Sequence, residues 1–365
     1  MYQSDITLAS DGQGRDQPSR ALCGIIKFLV SSAPAVSIDA VIPVRNGATT
    51  IARAVDSVLA QTRLPDRVLV VDDGSTDGGA DLVRGLARVE VITTPPRGVS
   101  HARNTGIHAS QADLVAFLDC DDFWLPEKIQ CQMTVFERDP EIVAVNSAFM
   151  TADRDGRRIE GGAVPVPFRR DAHRQLLELF HGGGGGSSTI MARRAVLLEL
   201  GGYDERLAFG EDRDMWLRLA HGRALGYCPE VLAAVVENPS SVTRRGMTDP
   251  TTRVEMLLQN LQVMEKWTSA TPLPARFYIN CCSEILVQSV RNRLGYRGLR
   301  ALRVQLEERV PTIARRIARS DAGFLTHLAL SGVLNAPVVF GRYLTYRRRR
   351  SRAAAHFQSA RGGAR

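Results

Sequence analysis

The chain has 365 residues, 44% of them hydrophobic, and its 47 Lys+Arg outnumber 39 Asp+Glu for a formal net charge of +8. That length and apolar content provide for a sizeable buried core, one large domain with an appendage, and exclude a disordered or fibrous chain. The six cysteines (Cys23, Cys120, Cys131, Cys228, Cys281, Cys282) form no CxxC pair and no zinc spacing, which argues against a disulfide framework and for a reducing compartment.

Residues 1–20 are polar and aperiodic, and disorder is expected there. Ala21 to Val30 is apolar and precedes Ala33-Pro34-Ala35, the outline of a cleavable leader, but Asp5, Asp11 and Asp16 spoil a basic start. Residues 1–36 are therefore read as a partly disordered lead-in with an amphipathic helix.

From Ser37 strands and helices alternate. Ile38 to Ile42 reads as a strand that runs into Pro43-Val44-Arg45-Asn46-Gly47, and Thr49 or Thr50 can cap a helix with Ile51, Val55, Val58 and Leu59 at the 3.6-residue period. A strand over Val68 to Val71 ends in Asp72-Asp73-Gly74-Ser75-Thr76-Asp77. A helix through Leu82, Val83 and Leu86, a strand from Val89 to Thr93, a helix from Val99 to Ala109 and a strand from Leu114 to Leu118 follow. Such alternation predicts an α/β fold with a mostly parallel, Rossmann-like sheet flanked by helices. Ligands of these sheets bind beyond the carboxyl ends of the strands, where Asn46, Asp72, Asp73, Asp119 and Asp121 fall.

Asp119-Cys120-Asp121-Asp122 places three carboxylates within four residues, a crowding that a divalent cation would neutralise. The alternative is an acidic turn in which Asp121 or Asp122 caps a helix near Pro126. Cys120 reads as a small filler, since nothing places a base beside it.

Ile142 to Met150 reads as a strand, Thr151 to Arg158 as a turn and 171–180 as a short helix. Gly182 to Gly186, before Ser187-Ser188-Thr189, are either a flexible linker or a mobile loop where an acceptor passes the backbone. A helix over Ala195 to Leu200 ends at Gly201-Gly202. In the segment Phe209 to Leu219, Met215 and Leu219 share one face, so Glu211 and Asp212 sit in the first turn of a helix. They either complement the helix dipole, worth ~0.3 to 1 kcal/mol, or supply a general base held rigidly.

Past Arg245 the alternation stops. Residues 246–365 read as a basic helical region, with helices between Val254 and Ile317, one beginning at Pro311, and 241–365 carry 22 Lys+Arg against 7 Asp+Glu. Phe324 to Tyr343 is apolar but broken by His327, Asn335, Pro337 and Arg342, and Arg347 to Arg350 follow. It is either an interfacial helix with a polybasic tag on an anionic membrane surface or a helix packed on the domain beside a solvated charge run. No base-stacking motif accompanies the arginines, so nucleic acid is not an expected partner.

Five motifs in order, VIPVRNG at 41–47, VDDGSTDGG at 71–79, RGVSHARNTGI at 97–107, FLDCDDFWLPEK at 117–128 and GGYDERLAFGEDRDMWLRLA at 201–220, carry a resemblance. The stretch 37–245 resembles the family-2 glycosyltransferases of the GT-A fold. By that resemblance Pro43, Val44, Arg45, Asn46, Asp72 and Asp73 would line a nucleotide pocket, with a carboxylate accepting from the base. Arg45 stands where the family often has Tyr and could stack through its guanidinium. Arg103 and Asn104 would hold the sugar and the acidic turn. Asp119 would face ribose or sugar, Asp121 would bind Mg²⁺ or Mn²⁺ against the diphosphate, and Asp122 is assigned a capping role. Asp212 matches the base that deprotonates an acceptor hydroxyl for a single inverting displacement, with Glu211 orienting it. Asn238 stands where many relatives have His, and Arg244 or Arg245 would neutralise phosphate. The resemblance implies an inverting hexosyl- or N-acetylhexosaminyltransferase that takes a nucleotide-diphosphate sugar, a UDP-sugar by preference, and extends a glycan or lipid-linked saccharide. Such an enzyme would be cytoplasmic, resting on the inner face of the cell membrane. The competing expectations are a non-catalytic sugar-nucleotide-binding assembly subunit and a nucleotidyltransferase, the latter disfavoured because no early glycine-rich basic loop is present to grip a triphosphate.

Overall fold

The computed structural model describes residues 36–159, 186–237, 249–268 and 296–317, with Tyr278, Cys282 and Ile285. The expected lead-in helix, the helix at 171–180, glycines 182–185, the segment Asn238 to Arg245 and the basic tail from Phe324 lie outside the described residues.

An eight-stranded sheet forms the centre. Its strands are β1 (Ile38–Val44), β2 (Arg67–Asp72), β3 (Val89–Thr93), β4 (Leu114–Phe117), β5 (Phe123–Trp124), β6 (Ile142–Ala152), β7 (Met191–Arg193) and β8 (Ala224–Val236), in the order β3-β2-β1-β4-β7-β6-β8-β5. β3, β2, β1 and β4 run parallel, with Val41 opposite both Leu69 and Phe117. β7 is antiparallel to β4 and β6, β8 is parallel to β6, and β5 is antiparallel to β8. The helices are α1 (Ile51–Leu59), α2 (Val99–Ala109), α3 (Lys128–Arg138), α4 (Arg194–Glu199), α5 (Glu211–Ala220), α6 (Pro250–Glu265), α7 (Tyr296–Arg309) and α8 (Pro311–Ile317).

Side chains alternate across the parallel strands and both faces are covered. Ala40, Ile42, Val68 and Val70 face α1 and α3 through Ile51, Val55, Val58, Ile129, Met133 and Phe136. Val41, Leu69, Val115 and Phe117 share the opposite core with Ile107 of α2, Met215 and Trp216 of α5, and Leu257, Leu258 and Leu261 of α6. The helices from Pro250 onward thus belong to the core on this face of the sheet.

Several local expectations are corrected. Thr50 sits at the cap position of α1, but its hydroxyl donates to Gly47 O at 3.3 Å and makes no side-chain cap. The expected helix through Leu82 and Leu86 is only a 3₁₀ turn at Gly79–Val83, because Gly78 and Gly85 adopt φ values of 70° and 84° that interrupt it. Leu82 and Leu86 are consequently exposed. β6 runs two residues beyond Met150, into the segment read as a turn. At the end of α4 the reading holds: Gly201 and Gly202 terminate it at φ 77° and 70°, their amides donating to Leu198 O and Leu197 O at 2.9 Å.

Candidate functional site

The loops after β1 and β2 lie side by side at the carboxyl edge of the sheet. Asn46, at φ 54°, accepts from the Thr76 amide at 2.9 Å through its side-chain oxygen and donates its own amide to Ser75 Oγ at 3.0 Å. The Asp77 carboxylate accepts from the amides of Ala48 at 2.8 Å and Gly79 at 2.9 Å, and these bonds hold its pKa below the ordinary range. Pro43 and Val44 are buried, whereas Arg45 and Asn46 are exposed. Asp72 is nearly buried and accepts from the Ser75 amide at 2.8 Å. Asp73 accepts from the amides of Arg97 at 2.7 Å and Gly98 at 2.9 Å, and Arg45 Nη1 stands 3.7 Å away. Asp73 therefore shapes the entry to α2.

The acidic turn after β4 is held from three sides. Arg53 of α1 donates to Asp121 O at 3.0 Å and to Arg154 O at 2.7 Å, its guanidinium 5.2 Å from the Phe123 ring centroid. Ser188 is fully buried: its hydroxyl accepts from the Asp119 amide at 3.1 Å and donates to Asp122 Oδ2 at 2.5 Å, and its carbonyl accepts from Trp124 Nε1 at 2.9 Å. Asp122 also accepts from the Val236 amide at 2.9 Å. This overturns its assignment as a helix cap, for Glu127 occupies that position before α3 and Asp122 ties the turn to β8. Burial, with the charges of Asp119 and Asp121 added, pushes the Asp122 carboxyl well above its usual range. Cys120 is likewise pushed up to about 12 by burial and these carboxylates, consistent with a filler and not a nucleophile.

The second half of the site comes from α5. Gly210, at φ 74°, precedes it and delivers Glu211 and Asp212 into its first turn. The guanidinium of Arg103 from α2, almost wholly buried, joins the two halves: Nη2 donates to Asp119 Oδ1 at 2.7 Å and Nη1 to Glu211 Oε1 at 3.0 Å. It lies 5.1 Å from the centroid of the buried Tyr203 ring. Burial and the charge of Asp212 raise Glu211 to about 7 against the pull of Arg103. Burial also raises Asp212, whose Oδ1 accepts from the Arg213 amide at 2.7 Å. Asn104 does not reach the acidic turn. It pairs with Tyr203, accepting from the amide at 2.7 Å and donating to the carbonyl at 2.9 Å, and donates to Glu205 at 3.0 Å.

Of the residues expected at the site, Arg103, Asp119, Glu211 and Asp212 converge, Asn46, Asp72 and Asp73 form the adjoining loops, and Asn104 acts behind them. Ser188 and Arg53 were missed. A hydroxyl after a glycine run and an arginine on an amphipathic helix carry no periodic signal for such work. Among the described residues no three His, Cys, Asp or Glu side chains gather as a metal cage. The donor set still fits Mg²⁺ or Mn²⁺, which takes one or two carboxylates and fills its octahedron with phosphate oxygens and water. In the acidic turn Asp119 is engaged by Arg103 and Asp122 by Ser188 and Val236, and Asp121 is half-exposed beside them.

Residues 39–201 match the family model described as glycosyl transferase family 2. The succinoglycan biosynthesis protein ExoU of Rhizobium meliloti is 34% identical over 212 residues, 53% of this chain and 60% of that protein. The hyaluronan synthase of Pasteurella multocida is 28% identical over 205 residues, 55% of this chain and 20% of that one. The chain thus matches 60% of the length of the first of these relatives and 20% of the second. Among solved structures, residues 1–349 of S. aureus TarS in complex with UDP-GlcNAc superpose with a TM-score of 0.51 at 13% identity, covering 80% of this chain and 91% of that one, a likeness of fold. With its sheet order, its five motifs and this match, residues 39–201 are similar to glycosyl transferase family 2, and the chain has the GT-A fold.

Proposed function

We propose that the chain is an inverting glycosyltransferase that moves a sugar from a nucleoside-diphosphate sugar to a hydroxyl of a glycan or lipid-linked saccharide. The observation that supports this reading is the Arg103 bridge, which joins the acidic turn to a pair of raised carboxylates on α5. Asp72 accepts an N–H from the base, a fit to uracil, and Arg45 stacks on its face. Asp119 faces ribose or sugar. Asp121 holds Mg²⁺ or Mn²⁺, an ion that when bound offsets charge on the departing diphosphate. Asp212 takes the proton of the acceptor hydroxyl as its oxygen bonds to the anomeric carbon, and the bond from that carbon to the diphosphate oxygen breaks. One displacement inverts the anomeric centre. Glu211, anchored by Arg103, orients the acceptor and Asp212.

The similarity to a succinoglycan biosynthesis protein supports a place in surface polysaccharide synthesis. Among the described residues no helix is long and apolar enough to cross a membrane. A cytoplasmic enzyme resting on the inner leaflet through residues beyond Ile317 is the arrangement we propose, testable by flotation on anionic vesicles with and without 320–365.

A screen of nucleotide sugars that reads nucleoside diphosphate release with and without Mn²⁺ tests the activity. Release should require acceptor and Mn²⁺, the product should carry the opposite anomeric configuration, and Asp212→Asn should lower kcat by about 10² to 10⁴ while nucleoside diphosphate still binds. Binding without transfer in the unaltered chain would instead establish an assembly subunit, and full activity of Asp212→Asn would remove the base assignment.

A further inference from the structure

Beyond the residues matched by the family model, α6 makes a series of contacts with one loop, Asp204 to Gly210, which leads into α5 and its two carboxylates. Gln259 is nearly buried on α6, and its side-chain oxygen accepts from two successive loop amides, Ala208 at 2.8 Å and Phe209 at 2.9 Å. Asn260 packs against Gly210, where a Cβ would meet its Oδ1 at 3.0 Å. Lys266, just past α6, donates to Asp204 at 2.8 Å and to the fully buried Asp214 of α5 at 2.7 Å. The amide nitrogen of Gln259 donates to Glu255 at 2.7 Å, and Glu255 is clamped by Arg309 of α7 through bonds of 2.6 and 2.7 Å.

Two loop amides one and two residues before Gly210 need acceptors, and they lie too early to be satisfied within α5. An acceptor on a neighbouring helix fixes both together, and with them the angle at which α5 starts. Carboxylates in a first helical turn move with that angle, and catalysis is sensitive to displacements of about 1 Å. We infer that Gln259 is a positioning residue for the reacting pair Glu211 and Asp212, and that α6, held by Glu255 and Arg309, is part of the catalytic apparatus. The inference rests on the proposed role of Asp212.

The test uses the full chain with three readouts: kcat for transfer, nucleoside diphosphate affinity by calorimetry, and thermal midpoint. Gln259→Met keeps the volume and removes the acceptor, and kcat should fall about 10- to 100-fold with the affinity changed less than about 2-fold, since the side-chain bonds of Gln259 run to the loop before α5 and to Glu255 on α6 itself. The double variant Gln259→Glu with Glu255→Gln restores an acceptor for both amides and a donor beside it, and should recover most of kcat. Should Gln259→Met not fold, Glu255→Gln alone loosens the Gln259 amide and should lower kcat several-fold at unchanged affinity. Wild-type kcat in Gln259→Met or in Glu255→Gln overturns the inference, as does a parallel loss of kcat and affinity. Asp212→Asn run alongside separates the levels: if it retains transfer, the base assignment itself has failed, whereas its loss together with a fully active Gln259→Met sinks only the role of Gln259.

Discussion

A buried guanidinium between two carboxylates is tolerable because its planar fork satisfies both at once. Arg103→Lys supplies one point charge and cannot span Asp119 and Glu211 as two separated N–H groups do; Arg103→Met leaves both acids without it, a change expected to cost roughly 3 to 5 kcal/mol. Glu211 gives this residue-scale arrangement a pH signature. Its pKa in the fold, raised to about 7 from 4.5, lies above its value in the unfolded chain, so between those values the folded state holds the extra proton. Stability from this group is therefore fully present below about pH 4.5 and is lost as pH rises through about 7. The raised Asp212 acts in the same direction. Activity should move oppositely, because the base works only when unprotonated: kcat/KM should rise with pH along an acidic limb that lies above the ordinary carboxylate range and belongs to the coupled pair. Thermal midpoints of Glu211→Gln across pH 5 to 8 should vary less than those of the unaltered protein, and an equally steep dependence would assign the titration elsewhere.

At the scale of elements, α2 is seated by a missing side chain. A Cβ on Gly106 would lie 2.4 Å from Val41 Cγ1, so the helix carrying Arg103 and Asn104 approaches β1 more closely than alanine permits. Gly106→Ala should lower the melting temperature and weaken nucleoside diphosphate binding as α2 is displaced, and adding Val41→Ala should recover part of both losses; no recovery in the double variant would mean that the clash is relieved elsewhere. Elements of this kind were legible in the sequence wherever one face alternates or repeats cleanly: β3 and α2 begin and end as the pattern predicts. The elements that escaped break their own pattern. α3 buries Lys128 and Gln132, the lysine bonded to Gln132 Oε1 at 2.6 Å and 4.2 Å from the Trp124 ring centroid, so its inward face reads as polar. β8 contains Pro229 within a register shift opposite Ser147 and Ala148, a bulge that hides a thirteen-residue strand. At the site, charged residues in motifs were visible, but Ser188 and Gln259 act through contacts between distant segments that spacing cannot encode.

For the whole molecule the change of architecture near Arg245 is not a change of core. Leu257, Leu258, Leu261, Val263 and Met264 of α6 are all at most 4% exposed and sit in one apolar cluster with Phe117, Met215 and Trp216. Burying five such side chains is worth about 7 to 15 kcal/mol at ~1.5 to 3 kcal/mol each, an upper bound, since an unfolded chain already shelters part of that surface. Net stabilities of domains are only about 5 to 15 kcal/mol. A fragment ending at 245 would expose the apolar sides of α2 and α5 and lose Lys266 from the buried Asp214, which Arg218 also meets at 2.8 Å. Residues 37–245 alone should therefore bind a hydrophobic dye and melt without a cooperative transition, whereas 37–317 should melt cooperatively and bind nucleoside diphosphate. A cooperative 37–245 fragment with undiminished nucleotide affinity would show that the strands and α2 close their own core, and α6 would then be an addition to the fold instead of one of its walls.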